Sequence, residues 1–127
     1  MNDLFAYCDD LEYADLSRLN LKNNKCFMNF FKNDTKLKEV KFPTIDFHNI
    51  YWFYGMFEGC ESIASIDLSS AYNDNGQYFY NMFKGCKNLT KINLINFRKS
   101  TINYYAYDLF KGLPDKGEII INRNFII

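Results

Sequence analysis

The sequence repeats itself with a period of about 26 residues, within the range that marks stacked repeat architectures. Residues 83–94 read FKGCKNLTKINL, and they nearly repeat residues 57–68, which read FEGCESIASIDL. Five phenylalanines fit one frame, with only the last interval longer by one position: Phe5, Phe31, Phe57, Phe83 and Phe110. The copies occupy residues 1–25, 26–50, 51–77, 78–103 and 104–127. Such self-similarity predicts that each copy is one structural unit stacked on its neighbours.

The first half of each copy has the spacing of an amphipathic helix. Counted from the anchor Phe as position zero, apolar residues recur at −4, −1, 0 and +3. The last three copies show this pattern with Phe53, Met56, Phe57 and Cys60, then Phe79, Met82, Phe83 and Cys86, then Ala106, Leu109, Phe110 and Leu113. Glycine at +2, as in Gly59 and Gly85, allows the left-handed backbone that ends a helix. The spacing therefore predicts a short helix in every copy.

The second half of each copy has the spacing of a half-buried strand. Positions +6, +9 and +11 are apolar, as in Leu89, Ile92 and Leu94. Neither a short helix nor one short strand is stable alone, so the units must stack to bury their apolar faces. The sequence therefore predicts one domain over residues 1–127, an α/β repeat solenoid. This is a right-handed, leucine-rich-repeat-like coil with short parallel strands on one face and short helices on the other.

Two copies depart from this pattern. Asp34 stands at +3, where other copies have Cys or Leu. Because a lone buried carboxylate is costly, we expect the backbone to loosen there and Asp34 to reach water or a helix end. The first copy begins inside its predicted helix, without the polar terminal unit that solenoids normally need. We therefore expect the C-terminal part of a longer solenoid, or self-association through the uncapped N-terminal coil near residues 11–16.

Composition argues against several function classes. The 15 basic and 15 acidic residues give a formal net charge of +0, which does not favour nucleic acid, and no apolar run is long enough to span a bilayer. The cysteines form no C-x-x-C pair and His48 is the only histidine, so we predict no metal site, no cofactor and no Cys–His enzyme. Cys60 and Cys86 share position +3; we predict that they pack as small apolar groups, with a disulfide as the alternative.

The repeat motif also has a known counterpart. Residues 82–94 carry M-F-x-G-C-x-x-L-x-x-I-x-L, and residues 56–60 begin the same pattern. The motif resembles the BspA-like leucine-rich repeat, found in mycoplasma surface lipoproteins and in some unicellular eukaryotes. The resemblance implies a non-catalytic, protein-binding solenoid, often displayed on a cell surface for adhesion, with no cofactor and no catalytic residues. No signal peptide is visible in this chain, so the compartment stays open.

Aromatic residues recur at two positions beside the predicted helix. Position −3 holds Tyr54, Tyr80 and Tyr107, and position −5 holds Trp52, Tyr78 and Tyr105. In a stack these side chains would form two ladders, and Tyr and Trp are enriched at binding surfaces. These side chains bind a partner or cover gaps between the units: at −3 the prediction favours partner binding, and at −5 it favours the covering of gaps. The predicted function is a non-catalytic protein–protein interaction module, with a structural subunit stacked within a larger assembly as the alternative.

Overall fold

The computed structural model describes residues 2–20, 23–43, 50–76, 78–99 and 108–121. Within those ranges the chain forms β1 (Tyr13–Asp15), β2 (Glu39–Lys41), β3 (Ser65–Asp67), β4 (Asn73–Gly76), β5 (Lys91–Leu94), β6 (Phe97–Lys99) and β7 (Glu118–Ile121). The strands make three sheets, ordered β1–β2, β3–β5–β7 and β4–β6, and every pair is parallel. The strands β1, β2, β3, β5 and β7 lie where the sequence predicts strands, one in each copy.

The register of these strands follows the repeat period. Ile66 on β3 pairs with Ile92 on β5, and Ile92 pairs in turn with Ile119 on β7. Ala14 on β1 pairs with Val40 on β2. Each residue thus pairs with the equivalent position of a neighbouring copy, so the copies lie directly against one another. Ile66 and Ile92 are buried, because alternate residues of a strand point into the stack.

The predicted helices on the other face are wrong. Within the described ranges no segment is helical, and turns occupy residues 28–33, 54–59 and 80–85, the core of three predicted helices. The sheets are small and open, with two or three strands each. The part of the chain that the structure describes is therefore not an α/β solenoid with helices on one face. The physical reason lies in the backbone at two positions of each predicted helix.

Each of these segments is a pair of consecutive turns. Residues 53–56 close one turn through an N–H to carbonyl hydrogen bond of 3.2 Å between the last and first residues. Residues 57–60 close the next turn in the same way at 3.0 Å. The third residues of the two turns, Gly55 and Gly59, have positive φ angles of 60° and 75°. A positive φ at this position together with this hydrogen bond is the signature of a type II turn.

The same left-handed backbone recurs in all five copies. Positive φ angles between 54° and 80° occur at −2 in Asp3, Asn29, Gly55, Asn81 and Asp108, and at +2 in Tyr7, Asn33, Gly59, Gly85 and Gly112. Gly, Asn and Asp adopt this backbone at low cost, which accounts for every position but Tyr7. Left-handed residues at both positions interrupt a right-handed helix, because every residue of such a helix needs a negative φ. Consecutive turns thus place the apolar residues at the spacing that predicts a helix.

The backbone of the turns also joins one copy to the next. In the third copy the N–H groups at −4, −2, 0 and +2 donate to carbonyls at −5, −3, −1 and +1 of the fourth copy, over 2.8–3.2 Å. The second copy donates to the third in the same pattern over 2.7–2.9 Å. The N–H groups at −1, +1 and +3 close the turns within the copy. These backbone N–H groups therefore all have acceptors although the segment is largely buried, as a buried backbone requires.

The anchor phenylalanines stack in one column through the interior. Successive ring centroids are 5.7, 5.5, 5.9 and 6.1 Å apart, and the ring planes agree within 16°. The column contains Phe5, Phe31, Phe57, Phe83 and Phe110, and its three central members have no exposed surface. The predicted alignment of the anchors is confirmed. Burying each of these three rings stabilises the folded state by about 1.5–3 kcal/mol relative to leaving the ring exposed to water.

Cysteines at +3 line the core beside this column. Cys60 and Cys86 are fully buried and are free thiols. The Cys60 thiol donates to the Phe31 carbonyl at 3.1 Å, and the Cys86 thiol donates to the Phe57 carbonyl at 3.1 Å. The predicted packing of these two side chains is confirmed, and they are not joined by a disulfide.

The expectation that Asp34 reaches water is wrong. Asp34 has no exposed surface, and its Oδ1 accepts a hydrogen bond of 2.8 Å from the Cys8 N–H. Its Oδ2 has no hydrogen-bond partner within the described part of the chain. Burial raises the pKa of this carboxyl to about 7, against a smaller lowering by the Cys8 N–H, while the nearby Asp9 adds to the rise. The backbone closes around the carboxyl because the turns on both sides keep the repeat geometry.

Candidate binding groove

Position −5 forms the first aromatic ladder. Trp52 is joined through parallel β-bridges to Cys26 in the copy before it and to Tyr78 in the copy after it. The Trp52 and Tyr78 ring centroids are 6.1 Å apart, and Trp52 is 46% exposed. Because the backbone is held on both sides, a large indole is presented to solvent from a fixed position.

Position −3 forms the second aromatic ladder. The carbonyl of Tyr54 accepts from the Asn29 N–H at 2.8 Å, and the carbonyl of Tyr80 accepts from the Gly55 N–H at 3.2 Å. Both tyrosines are half-buried, and their ring centroids are 4.4 Å apart with the planes tilted by 35°. Each tyrosine is the second residue of its turn, so the turn positions the ring.

Between the two ladders lies a groove of about 300 Å³. Its walls are Met28, Trp52, Tyr54, Tyr78 and Tyr80, and we call it the aromatic groove. None of these five side chains is charged. The volume is at the lower end of the range for ligand sites, which is about 300–1,000 Å³. The groove offers ring faces, a thioether and the donors of indole and phenol groups.

Four predicted partner-binding residues meet in this groove, namely Trp52, Tyr54, Tyr78 and Tyr80. The other two, Tyr105 and Tyr107, lie outside the described residues, as does His48. Met28 was missed by the sequence analysis. It occupies position −3 of the second copy, so the repeat frame contained the signal, although Met was not counted as part of an aromatic ladder.

A second cavity of about 240 Å³ lies between the fourth and fifth copies. Leu89, Ile92 and Phe110 contribute to its walls, and the first two are buried core residues. The exposed carboxylates Asp115 and Glu118 also line it. Because core side chains of both copies contribute to its walls, we interpret this cavity as loose packing between the two copies.

The thiols of the core are poor nucleophiles. Burial raises the pKa of Cys86 to about 12 and also raises the pKa of Cys60, so both thiols are protonated near neutral pH. Burial, together with the nearby Asp34, also raises the pKa of Cys8. Over the ranges that the structure describes, no three His, Cys, Asp or Glu side chains cluster as metal ligands would. Nor does that part of the chain contain a helix able to cross a membrane.

Comparison with protein-family models, curated proteins and solved structures finds no match to this chain, so the resemblance to BspA-like repeats stays a prediction.

Proposed function

We propose that this chain is a non-catalytic protein-interaction module that contacts its partner through the aromatic groove. The observation that carries the proposal is the meeting of Trp52, Tyr54, Tyr78 and Tyr80 in one uncharged groove. These residues come from two successive copies, and the parallel stacking brings them together. The repeat resemblance adds a cell-surface setting, with adhesion as the role.

Aromatic side chains held on a rigid backbone suit binding for energetic reasons. Tyr and Trp provide large contact areas and have few rotatable bonds, so little conformational entropy is lost on binding. They are also the residue types most enriched among binding hot spots. In the groove, the carbonyls of Trp52, Tyr54, Tyr78 and Tyr80 each accept a backbone hydrogen bond from the preceding copy. The surface is therefore organised before any partner arrives, which lowers the cost of association.

The first test selects peptide ligands without assuming their sequence. We expect a random peptide display library, panned on the folded chain, to yield peptides whose binding depends on the groove. Tyr54→Ser should weaken binding of these peptides roughly tenfold, or about 1.4 kcal/mol, which is more than truncation of most interface residues costs. Tyr13→Ser is the matched control, because Tyr13 is 50% exposed on β1 and does not line the groove. Selected peptides that bind both variants equally would contradict the groove as the binding surface.

The buried, protonated thiols of Cys60 and Cys86 are consistent with a function that involves no covalent chemistry. The alternative function, a structural subunit stacked within a larger assembly, stays a prediction.

A further inference from the structure

The spacing of the aromatic groove restricts the conformation of a ligand. The −3 ladder runs through three successive copies as Met28, Tyr54 and Tyr80. The N–H groups of the next residues, Asn29 and Gly55, donate to the carbonyls of Tyr54 and Tyr80 over 2.8 and 3.2 Å, as between neighbouring strands of a sheet. Chains joined in this way lie ~4.8 Å apart, so the ladder advances by ~9.6 Å over its two steps.

A polyproline II helix has a matching repeat. It has three residues per turn and rises ~3.1 Å per residue, which gives ~9.3 Å per turn. In a ligand that lies along the stack, side chains three residues apart are therefore separated by ~9.3 Å. This is close to the ~9.6 Å between the first and third members of the ladder. An extended strand presents side chains on one side every ~6.7 Å, which matches neither one nor two steps of the ladder.

The groove backbone is also closed to strand addition. Trp52 already pairs with Cys26 on one side and Tyr78 on the other. A ligand strand would need an open edge with unpaired N–H and carbonyl groups. The ligand must therefore bind through side chains and through acceptors that reach the donors of the groove.

The chemistry of the lining also favours a polyproline II ligand. The five lining side chains carry no charge, so they offer no ion pair to a strongly acidic or basic peptide. Trp52 is 46% exposed, and its indole N–H is a hydrogen-bond donor. A polyproline II segment has no internal hydrogen bonds, so its carbonyls are free to accept from such a donor. Grooves lined by aromatic residues are a recurring docking surface for this conformation.

We propose that the aromatic groove binds a proline-rich peptide segment in the polyproline II conformation, with prolines three residues apart against Met28 and Tyr80. This inference rests on the function proposed above and assigns the partner its chemical class. Tyr54 lies between Met28 and Tyr80 on the ladder. Replacing Tyr54 should therefore weaken binding more than replacing an exposed tyrosine elsewhere.

Trp52 makes the test direct, because it is the single tryptophan of the chain. An oligoproline peptide should change the Trp52 fluorescence saturably. The apparent dissociation constant should rise roughly tenfold in Tyr54→Ser and stay unchanged in Tyr13→Ser, given equal urea midpoints for the three proteins. A glycine–serine peptide of equal length and phosphatidylcholine vesicles are the comparison ligands, and neither should produce a saturable change.

No saturable response to oligoproline overturns the inference, as does an equal response to the glycine–serine peptide. A response to the vesicles in place of oligoproline overturns it in favour of a lipid-facing surface. The display experiment separates this failure from failure of the proposed function. Groove-dependent peptides without proline would leave the binding module standing and remove only the polyproline assignment.

Discussion

Replacing Phe83 by alanine should lower the free energy of unfolding by about 3–5 kcal/mol, the usual cost of deleting a large aromatic side chain from a core. Phe83 has no exposed surface. Its ring lies between Phe57 at 5.9 Å and Phe110 at 6.1 Å, nearly parallel to both. The deletion would leave a cavity in the middle of the column, and the rings on either side are held by their own turns. Urea denaturation followed by Trp52 fluorescence measures the loss.

The adjacent residue provides the control for this experiment. Lys84 is half-buried at +1, and the groups that join it to its neighbours are backbone groups. Lys84→Ala keeps those groups and should cost less than about 1 kcal/mol. Equal shifts of the two denaturation curves would show that the anchor position does not face the interior.

The buried carboxyl of Asp34 should make the protein less stable as the pH rises from about 4 to about 7. Its pKa is raised from 3.8 to about 7, mainly by burial, so the folded state binds a proton that the unfolded chain releases. The stabilising contribution is full below pH 3.8 and is lost as the pH passes through the folded pKa near 7. A rise in pKa of this size corresponds to about 4 kcal/mol.

Asp34→Asn isolates this contribution. The amide keeps an acceptor for the Cys8 N–H and carries no charge, so the variant should be more stable than the wild type at pH 8 by a few kcal/mol. It should also lose most of the slope between pH 4 and 7. Asp10→Asn is the matched control: the hydrogen bond and charge of Lys36 lower the pKa of exposed Asp10, so its contribution varies only below pH 3.8. Coincident pH profiles of the wild type and Asp34→Asn would mean that the Asp34 carboxyl reaches water.

The parts of the fold that the sequence predicts correctly depend on a period. The anchor Phe residues share one repeat frame, and the structure stacks them as one column. The alternation around Ile66 and Ile92 predicts strands, and both residues pair within β3 and β5. In both cases the number of residues between buried side chains decides the geometry.

The predicted helices fail because spacing alone does not distinguish a helix from successive turns. Both structures can place apolar side chains at −4, −1, 0 and +3. The distinguishing signal was the residue type at −2, which is Asp, Asn or Gly in all five copies. Asn29 and Asn81 have φ angles of 54° and 59°, and such residues lie in the middle of the supposed helices. Counting left-handed residue types at both −2 and +2 would have favoured turns.

The same repeat frame predicts the residues of the candidate site, with the exception of one. Tyr54 and Tyr80 share a position, as do Trp52 and Tyr78, so parallel stacking brings the pairs together. Met28 was missed because only aromatic residues were considered at −3. The burial of Asp34 could not be read from the sequence, since it depends on how tightly the turns of the neighbouring copies close over it.

The central claim is that each copy turns through left-handed residues where a helix was expected, and position 81 tests it most directly. Asn81 has a φ of 59°, and Asn81→Gly and Asn81→Ala both remove the same buried side-chain oxygen. Left-handed backbone favours Gly over Ala by about 1–2 kcal/mol, whereas a helix favours Ala over Gly by about 1 kcal/mol. Urea denaturation of the two variants should therefore find Asn81→Gly the more stable protein. Greater stability of Asn81→Ala would show a helix at this position and contradict the account.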